Sequence, residues 1–454
     1  MDFIRGQKRK TEEKGQYIIL RGVLALGILM RLIYVLYTPY TMGQHDTMEL
    51  GSGSGHFGYI EYFLQGGSLL FDFNPMNAYE FYHPPLFHLT AAAFVRCNLM
   101  LGAAYEQAFE NLQYLTCFFS AVSLLLFFRI FRELGLKGKG LLAACMLTAF
   151  HPSFYLLAGS INNDGLCLMF MAAAVLCTLR WYRDPSLKNI LLLSFGIVLG
   201  ALTKTNALLI TPAIAVVMLY VLVKNWKDAV MRGKLLRRFL LFGVITVPLG
   251  LSWMLCNYIR FDMPFDFTPA ALTTGSTQSV SDYTVFQRLF GLKDGPLEKL
   301  SLQIHSEHKD YNIFIDLLKT SVLGEYTLMI RGVEFCLLCA LMVVNGLLAA
   351  VSVPMLLRIV IRPKEQKIEK LFVFLMYAAG MAFYIRFCFE YPKVCSMDFR
   401  YIALTAVLGA AAFGWFIQEK KGRKSAVLVL AAVIIWSLLS IVSYLGLGLT
   451  PRAW

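Results

Sequence analysis

The sequence has few charged residues for its length. They make up 16% of the 454 residues, whereas soluble proteins carry roughly 25%, so a soluble globular protein is excluded. The hydrophobic residues, 57% of the chain, gather in blocks of about 20, the length that a helix needs to cross a bilayer. We therefore predict an all-α polytopic membrane protein with about eleven transmembrane helices. The candidate spans are residues 17–37, 109–131, 139–159, 164–182, 189–205, 206–223, 239–258, 333–357, 370–388, 401–417 and 425–447.

The cysteine pattern of a zinc site is also missing. Cys336 and Cys339 have the C-x-x-C spacing, but no second pair accompanies them. Most of the ten cysteines lie inside apolar blocks, where they behave as small hydrophobic residues. Cys388 and Cys395 flank a predicted outer loop, and the sequence leaves open whether they form a disulfide. Acidic residues are outnumbered by basic ones, giving a net charge of +13. The basic residues cluster in short loops between spans, so nucleic acid is not an expected partner.

The positive-inside rule fixes the predicted orientation. The basic tail, residues 1–16, precedes a retained first helix and is expected in the cytoplasm. The apolar segment 85–103 carries His88, Arg96 and Asn98. Counting it as a span would place every later basic loop outside, so we expect an interfacial amphipathic or re-entrant helix there. The outer face then receives the loop 38–108, the short turn at Asp164 and the loop 259–332.

Two acidic residues are the candidate catalytic groups. Asp46 lies in "TPYTMGQHDT", just beyond the first span, and Asp164 lies in "INNDG", at the start of another. A solvated loop carboxylate is the simple alternative for Asp46, and a helix N-cap is the simple alternative for Asp164. Asn162 or Asn163 could cap the helix equally well, which would leave Asp164 in the first turn, facing the headgroup layer. Ionisable residues at this depth are costly and favour a functional role.

Other polar residues of the predicted outer face are candidates for substrate binding. The segment "GSGSGHFGYIEYFLQGG" predicts a glycine-rich entry into an amphipathic helix, and "EFYHPPLFH" brings histidines beside a rigid Pro-Pro turn. The spacing of "HSEH", 305–308, is loosely compatible with a metal, but a solvated loop explains it better. Outer cations suit an anionic lipid headgroup, because arginine pairs with phosphate in a bidentate fork. The candidates are His56, Tyr59, Glu61, His83, Asn163, Lys204, Arg260 and Arg400.

Acids and cations together at the headgroup layer indicate a reaction on a lipid phosphate. One carboxylate would accept the proton of an acceptor hydroxyl, as a general base does. The cations would stabilise the phosphate that leaves.

The order of the motifs resembles a known family. The early Asp46, the "GHFGYIEYFLQGG" helix, "YHPPL", "HPSFYLLAGSINNDGL" and "DFRYI" resemble the GT-C membrane glycosyltransferases. Within them, the chain is most similar to the family 39 group of protein O-mannosyltransferases and aminoarabinose transferases. The likeness runs from about residue 17 to 205 in order and resumes near 398–402.

The resemblance implies a GT-C helical bundle, with interfacial helices in the first outer loop, that transfers a sugar from a polyprenyl-phosphate carrier. Inversion by a single displacement would proceed with Asp46 as base and Asp164 supporting the acceptor or a metal. His83 stands where relatives carry other basic or polar residues, which leaves its phosphate contact open. No nucleotide is needed, and the sequence contains no P-loop. Family members differ over a divalent metal, so that cofactor stays open.

The resulting hypothesis has two rivals. A transporter or flippase of lipid-linked saccharides would explain the spans, but it predicts acids and prolines within them. A non-catalytic scaffold would not need acids at Asp46 and Asp164. We expect a multi-pass protein of a bacterial plasma membrane whose partners are membrane lipids, the lipid-linked sugar and an acceptor protein, glycan or lipid. The predicted divisions are a tail (1–16), a catalytic core (17–258), a long outer loop (259–332) and C-terminal helices (333–454).

Overall fold

The computed structural model describes residues 2–265, 277–292, 300, 302–303, 309–325 and 332–449, with only the backbone for residues 2–14 and 449. The described residues form seventeen α-helices and no strand, so the all-α prediction is confirmed. The helices are α1 (Asp2–Tyr37), α2 (Gly55–Leu64), α3 (Leu86–Met100), α4 (Tyr105–Glu110), α5 (Leu112–Glu133), α6 (Gly138–Ala149), α7 (Pro152–Gly159), α8 (Asp164–Arg183), α9 (Leu187–Thr203), α10 (Thr211–Lys224), α11 (Ala229–Phe261), α12 (Val285–Phe290), α13 (Ile313–Leu323), α14 (Gly332–Ile361), α15 (Lys367–Glu390), α16 (Leu404–Glu419) and α17 (Lys424–Leu449).

The apolar helices make the chain an integral multi-pass membrane protein. Among the described residues, eight helices are long and apolar enough to cross a bilayer, or up to ten if each of two bent pairs is one span. The predicted count of eleven is therefore not confirmed, because α9 has only 17 residues. Helix α3, with 15 residues, is shorter than the roughly 20 that a span needs. Its place at the outer interface stays a prediction.

Two predicted spans are broken rather than continuous. Helices α6 and α7 meet at a bend of 44°, where Pro152 begins α7 and lacks the N–H that would continue α6. The 3₁₀ segment 394–402 meets α16 at 49°. The segment before this second bend carries Arg400, which is buried.

A buried arginine holds the first bend together. Arg31 of α1 is fully buried and donates to the carbonyl oxygens of Gly27, Thr148 and Ala149 at 2.7–3.2 Å. Two of these carbonyls belong to the last turn of α6, whose C-terminal oxygens lack partners within the helix. Arg31 therefore has a structural role inside the bundle.

The loop 38–104, predicted to lie on the outer face, forms a core of its own. Rings from α2, α3 and the chain between them cluster around Tyr59, which stacks on Phe81 at 4.4 Å and on His88 at 3.9 Å between ring centroids. Trp253 of α11 ties this cluster to the bundle through a T-shaped contact with Phe71 at 5.4 Å. The loop 38–104 is thus a packed layer, rigid enough to position the side chains that it carries.

Candidate active site

Asp46 is fixed by its backbone as well as by its side chain. Its φ of 59° lies in the left-handed region, which aspartate tolerates better than most residues. Its carbonyl oxygen accepts from the N–H of His56, 2.9 Å away, at the start of α2. Gly55 has a φ of +70°, and a Cβ there would lie 2.6 Å from that same carbonyl oxygen. The close approach of the loop to α2 therefore requires glycine at this position.

The Asp46 carboxylate has one partner on each oxygen. Tyr79 donates its hydroxyl to Oδ1 at 2.5 Å, and Arg400 Nη2 lies 3.0 Å from Oδ2. Burial alone would raise the pKa of Asp46. The positive charge of Arg400, the hydrogen bond from Tyr79 and the nearby His56 and His45 outweigh burial and lower that pKa below its usual range. Asp46 is therefore ionised at neutral pH.

Asp164 occupies the first turn of α8. The side chain of Asn162 accepts from the Asp164 N–H at 3.0 Å, so a neighbouring asparagine supplies the local backbone partner. The Asp164 carboxylate is left to bind two cations: Lys204 Nζ at 2.6 Å and Arg400 Nη1 at 3.3 Å. Lys204 reaches it from the turn after α9.

Arg400 joins the two acids. Its two terminal nitrogens reach Asp46 and Asp164, and Nη2 also donates to the hydroxyl of Tyr401 at 3.0 Å. Asp398 caps the 3₁₀ turn that holds Arg400 by accepting from its backbone N–H at 2.8 Å. Both acids and both cations are thus assembled into one chain of ionic contacts, from four distant parts of the sequence.

His56 and His83 meet at a third acid, Glu80. Glu80 Oε2 lies 3.4 Å from His56 Nε2 and 3.1 Å from His83 Nε2, and Tyr82 donates to its Oε1 at 2.9 Å. Burial would raise the pKa of Glu80, but the two histidines lower it below its usual value. Burial is also the main reason why the pKa of His56 falls to about 4, against partial opposition from Glu80 and Asp46. His56 is therefore neutral at pH 7.

A third group of side chains has the composition of a cation site. One ligand atom from each of His45, Glu325 and Asp398 lies within 4.8 Å of the other two. His45 Nδ1 is 3.1 Å from Glu325 Oε2. Arg400 borders this group as well, since its Nε is 3.4 Å from Asp398 Oδ2.

Four residues predicted to bind substrate do not take part in the ionic contacts that join Asp46, Asp164, Lys204 and Arg400. Tyr59 lies in the aromatic core, and its hydroxyl donates to the carbonyl of His83 at 3.3 Å. Glu61 accepts from the Gly51 N–H and from the Tyr105 hydroxyl, the latter at 2.6 Å. Asn163 is fully buried, and its side-chain oxygen and nitrogen have no hydrogen-bond partner within the described part of the chain. Arg260 donates to the carbonyl of Phe71.

Two further sequence expectations concern sulfur and the loop histidines. Cys388 and Cys395 are free thiols in the structure, so the disulfide left open by the sequence is not formed. The "HSEH" segment, 305–308, lies outside the described residues.

Five residues of the site were not predicted as site residues from the sequence. Two are the tyrosines on Asp46 and Arg400, and the others are the members of the cation-type group. His45 and Asp398 stand one and two residues from predicted candidates, and both lie in motifs that the sequence analysis quotes, "TPYTMGQHDT" and "DFRYI". Glu325 follows α13 with no motif around it. The missed residues are His45, Tyr79, Glu325, Asp398 and Tyr401.

A pocket lies beside the ionic chain. Asp164, Lys204 and Arg400 form its polar end. Apolar side chains, mostly of α8, α15 and α16 and of the turn before α10, form most of the remaining lining, together with Asn206, Tyr401 and Thr405. A polar end beside an apolar lining suits a molecule with a charged head and an apolar tail. These apolar residues are Leu157, Leu168, Met171, Leu209, Ile210, Met376, Ile402, Leu404 and Leu408.

Solved structures with this arrangement of helices come from an archaeal enzyme. The oligosaccharyltransferase of Archaeoglobus fulgidus, in complex with Zn and sulfate, matches 93% of this chain and 53% of its own, with a TM-score of 0.53 and 16% identity. The same organism's AglB, in complex with an inhibitory peptide and a dolichol-phosphate, matches 94% and 56%, with a TM-score of 0.51 and 12% identity. The fold is that of the GT-C glycosyltransferases. The chain spans about half the length of these two structures.

The sequence comparison agrees with the GT-C fold. Residues 83–253 match the family described as dolichyl-phosphate-mannose-protein mannosyltransferase. The expected resemblance to family 39 of the GT-C glycosyltransferases is thereby confirmed. ArnT from Cupriavidus metallidurans, bound to undecaprenyl phosphate, matches 95% of this chain and 76% of its own at 13% identity, but its TM-score of 0.48 is too low to support an argument. No curated protein sequence matches the chain.

Proposed function

We propose that the protein transfers a sugar from a polyprenyl-phosphate carrier to an acceptor hydroxyl on the outer membrane face, with inversion at the anomeric carbon. The observation that carries the proposal is the pocket whose polar end holds Lys204 and Arg400 and whose walls are mostly apolar. A lipid phosphate would place its anion on the two cations and its chain along the apolar lining. The dolichol-phosphate in the complex of AglB and the mannosyltransferase family match support this ligand class.

In the proposed reaction, the acceptor hydroxyl attacks the anomeric carbon while its proton passes to the Asp46 carboxylate. The bond between that carbon and the phosphate oxygen breaks, and its electron pair leaves with the lipid phosphate. Lys204 and Arg400 stabilise the charge that develops on the departing oxygen. Asp164 holds both cations in place, at 2.6 and 3.3 Å.

The ionic contact between Asp46 and Arg400 has a consequence for this step. A carboxylate with a lowered pKa is a weak base, and a general base works best when its pKa is near the working pH. A bound phosphate would compete for the guanidinium and weaken the contact of 3.0 Å with Asp46. Donor binding would therefore raise the basicity of Asp46, so that the base becomes strong only when the sugar is present.

The test is transfer of radiolabelled sugars from a panel of polyprenyl-phosphate donors into membranes that contain the wild type, Asp46→Asn or Asp262→Asn. Asp262 is exposed and has a φ of 53°, which asparagine tolerates, so it is a matched control. General base catalysis contributes about 10²–10⁴-fold. We expect a loss of that size in Asp46→Asn, with Asp262→Asn close to the wild type.

Three outcomes would overturn all or part of the proposal. Equal transfer by Asp46→Asn and wild type would remove Asp46 as the base. Transfer only from nucleotide sugars would replace the donor class. No transfer from any donor, together with movement of lipid-linked saccharide across the bilayer, would favour the transporter.

A further inference from the structure

The backbone turn that carries Arg400 begins with N–H groups that need partners from outside the turn. It is a 3₁₀ helix, Phe399–Ile402, and the first N–H groups of a helix have no acceptor within it. Asp398 accepts from the Arg400 N–H at 2.8 Å, which shapes the turn locally. The Phe399 N–H donates to the hydroxyl oxygen of Thr320 at 2.9 Å, across 79 positions of the chain. This second bond therefore ties the turn to a different part of the fold.

Thr320 is itself held in one orientation by α13. Its side chain is 1% exposed, and its hydroxyl donates to the carbonyl oxygen of Asp316 at 2.7 Å, one turn earlier in the same helix. A bond of this kind selects the rotamer of a threonine within a helix. It also uses the only hydroxyl hydrogen and leaves lone pairs that can accept from Phe399. The position of the acceptor is thus set by α13 and not by the turn.

The predicted outer loop 259–332, which contains α13, also holds the chain before the turn. Residues 278–280 pair with residues 392–394 through two backbone hydrogen bonds, at 2.9 and 3.1 Å. Arg288 of α12 donates to the carbonyl oxygen of Cys388 at 2.7 Å. Of these contacts, the one made by Thr320 lies nearest to Arg400 in the chain. It is therefore the contact that most directly sets where the Arg400 backbone lies.

The placement of that backbone decides whether the guanidinium reaches both acids. Nη1 of Arg400 is 3.3 Å from Asp164, and Nη2 is 3.0 Å from Asp46. A shift of about 1 Å would take both contacts beyond hydrogen-bonding distance. We propose that Thr320 is a positioning residue for Arg400, which places the guanidinium by accepting the N–H of the preceding residue. This inference rests on the proposed function, in which Arg400 binds the lipid phosphate.

The test compares two substitutions of Thr320. Thr320→Val has a similar size but lacks the acceptor, whereas Thr320→Ser keeps the acceptor. Thr178→Val is the matched control, because Thr178 is also buried in a helix and its hydroxyl donates to the carbonyl oxygen of Ala174, at 2.8 Å. Each purified full-length variant in detergent is assayed for sugar transfer and for binding of undecaprenyl phosphate. Thermal unfolding checks that each variant is folded, and Thr320→Ala replaces Thr320→Val if that protein is not.

Thr320→Val should lose activity that Thr320→Ser retains. A misplacement of about 1 Å can lower a rate by roughly 10²-fold, so we expect kcat/KM to fall by about 10- to 100-fold in Thr320→Val. Its affinity for undecaprenyl phosphate should fall by at least about fivefold, which corresponds to one weakened hydrogen bond. Thr320→Ser and Thr178→Val should stay within about threefold of the wild type in both assays, because the acceptor on Phe399 is kept.

A double-mutant cycle separates positioning from a merely structural role. If Thr320 acts through Arg400, adding Thr320→Val to Arg400→Met should change the affinity for undecaprenyl phosphate by less than about twofold. A residue that only stabilises the fold would cause the same loss whether or not Arg400 is present.

The outcomes distinguish this inference from the proposed function. Equal behaviour of Thr320→Val and Thr320→Ser in a wild type that transfers sugar, or an equal loss with and without Arg400, would overturn the inference alone. The expected binding pattern in a protein that transfers no sugar from any polyprenyl-phosphate donor would overturn only the proposed function. A wild type that neither binds undecaprenyl phosphate nor transfers sugar would overturn both.

Discussion

Arg400 offers the sharpest test of the candidate active site, because one side chain joins both acids. Its Nη1 and Nη2 bind Asp164 and Asp46 at 3.3 and 3.0 Å. In Arg400→Lys, a single ammonium replaces the planar fork and cannot hold both carboxylates in the same geometry. Losing one charge-assisted hydrogen bond costs about 1.5–3 kcal/mol. At 1.36 kcal/mol for each factor of ten, kcat/KM should fall by about 10- to 150-fold.

Removing the charge altogether should also change the pH dependence. In the wild type, Arg400 helps to hold the pKa of Asp46 below its usual range, so Asp46 stays ionised throughout the working range and its titration produces no acid limb. In Arg400→Met, the positive charge that counteracts the effect of burial on Asp46 is gone, so the pKa of Asp46 rises. Activity should then fall as the pH is lowered through the new value and recover as the pH is raised. The defect relative to wild type should therefore grow towards low pH.

The same change should lower stability. The pKa of Asp46 is depressed in the folded protein, so its contact with Arg400 stabilises the fold at neutral pH and is lost only as the carboxylate is protonated at low pH. Breaking a buried ion pair by removing one partner costs about 3–5 kcal/mol. Thermal unfolding in detergent at pH 7 measures this loss.

The assay is donor-dependent transfer by Arg400→Lys, Arg400→Met and Arg386→Met between pH 5 and 8. Arg386 is the control, because its side chain is 73% exposed and pairs with Glu390 on the same helix. If Arg400→Lys stayed within about twofold of the wild type at every pH, the fork would contribute less than one charge-assisted hydrogen bond. The reasoning about both acids would then be refuted.

Two further predictions concern stability. Because the pKa of His56 is about 4 in the folded protein and about 6.5 when unfolded, stability should fall by about 3 kcal/mol as the pH drops from 6.5 to 4. Chemical unfolding of His56→Gln over this range should show a smaller loss, and an equal loss would count against the assignment. Helices α6 and α16 touch at Gly140, where an added Cβ would lie 2.4 Å from the Gly414 carbonyl oxygen. Gly140→Ala should cost about 1–3 kcal/mol in thermal unfolding, whereas Gly233→Ala, with open space around it, should not destabilise; equal stability of the two would contradict the close approach.

The sequence predicts elements that depend on local pattern. Apolar length places the spans of α8 and α17 close to their observed bounds, because the bilayer imposes one length on all spans. Helix α1 ends at Tyr37 as predicted but begins at Asp2, well before the predicted start of the span. Asp164 lies in the first turn of α8, as the sequence allowed, but the N-cap residue Asn163 makes no side-chain capping bond; Asn162 accepts from the Asp164 N–H instead, and the Asp164 carboxylate is left for ionic contacts. Helix α2 forms where expected. Tyr59 and Glu61 of this helix were predicted to bind substrate. They contact the aromatic core and the Gly51 backbone instead, because hydrophobic packing of the loop 38–104 decides which side of the helix is buried.

Pairings across the chain could not be predicted in the same way. Arg400 and Lys204 stand out as cations on the predicted outer face, but the contact of Arg400 with Asp46 joins residues 354 positions apart. No local periodicity encodes such a distance. Glu325 is harder still to predict as a site residue, because it lies in no recognisable sequence motif. Its relation to His45, 280 residues away, exists only once the fold is formed.

Arg31 shows why burial alone does not identify a functional charge. A cation inside a span is by default a candidate for transport, and Arg31 is fully buried within α1. Its donors, however, bind the Ser120 hydroxyl and the carbonyls of Gly27, Thr148 and Ala149, so the helix break at α6 already explains its position. Lys204 and Arg400 differ because they line a pocket together with Asp164, where a ligand can reach them. Buried charge combined with access, rather than buried charge alone, therefore favours chemistry at the ionic chain over passage along the spans.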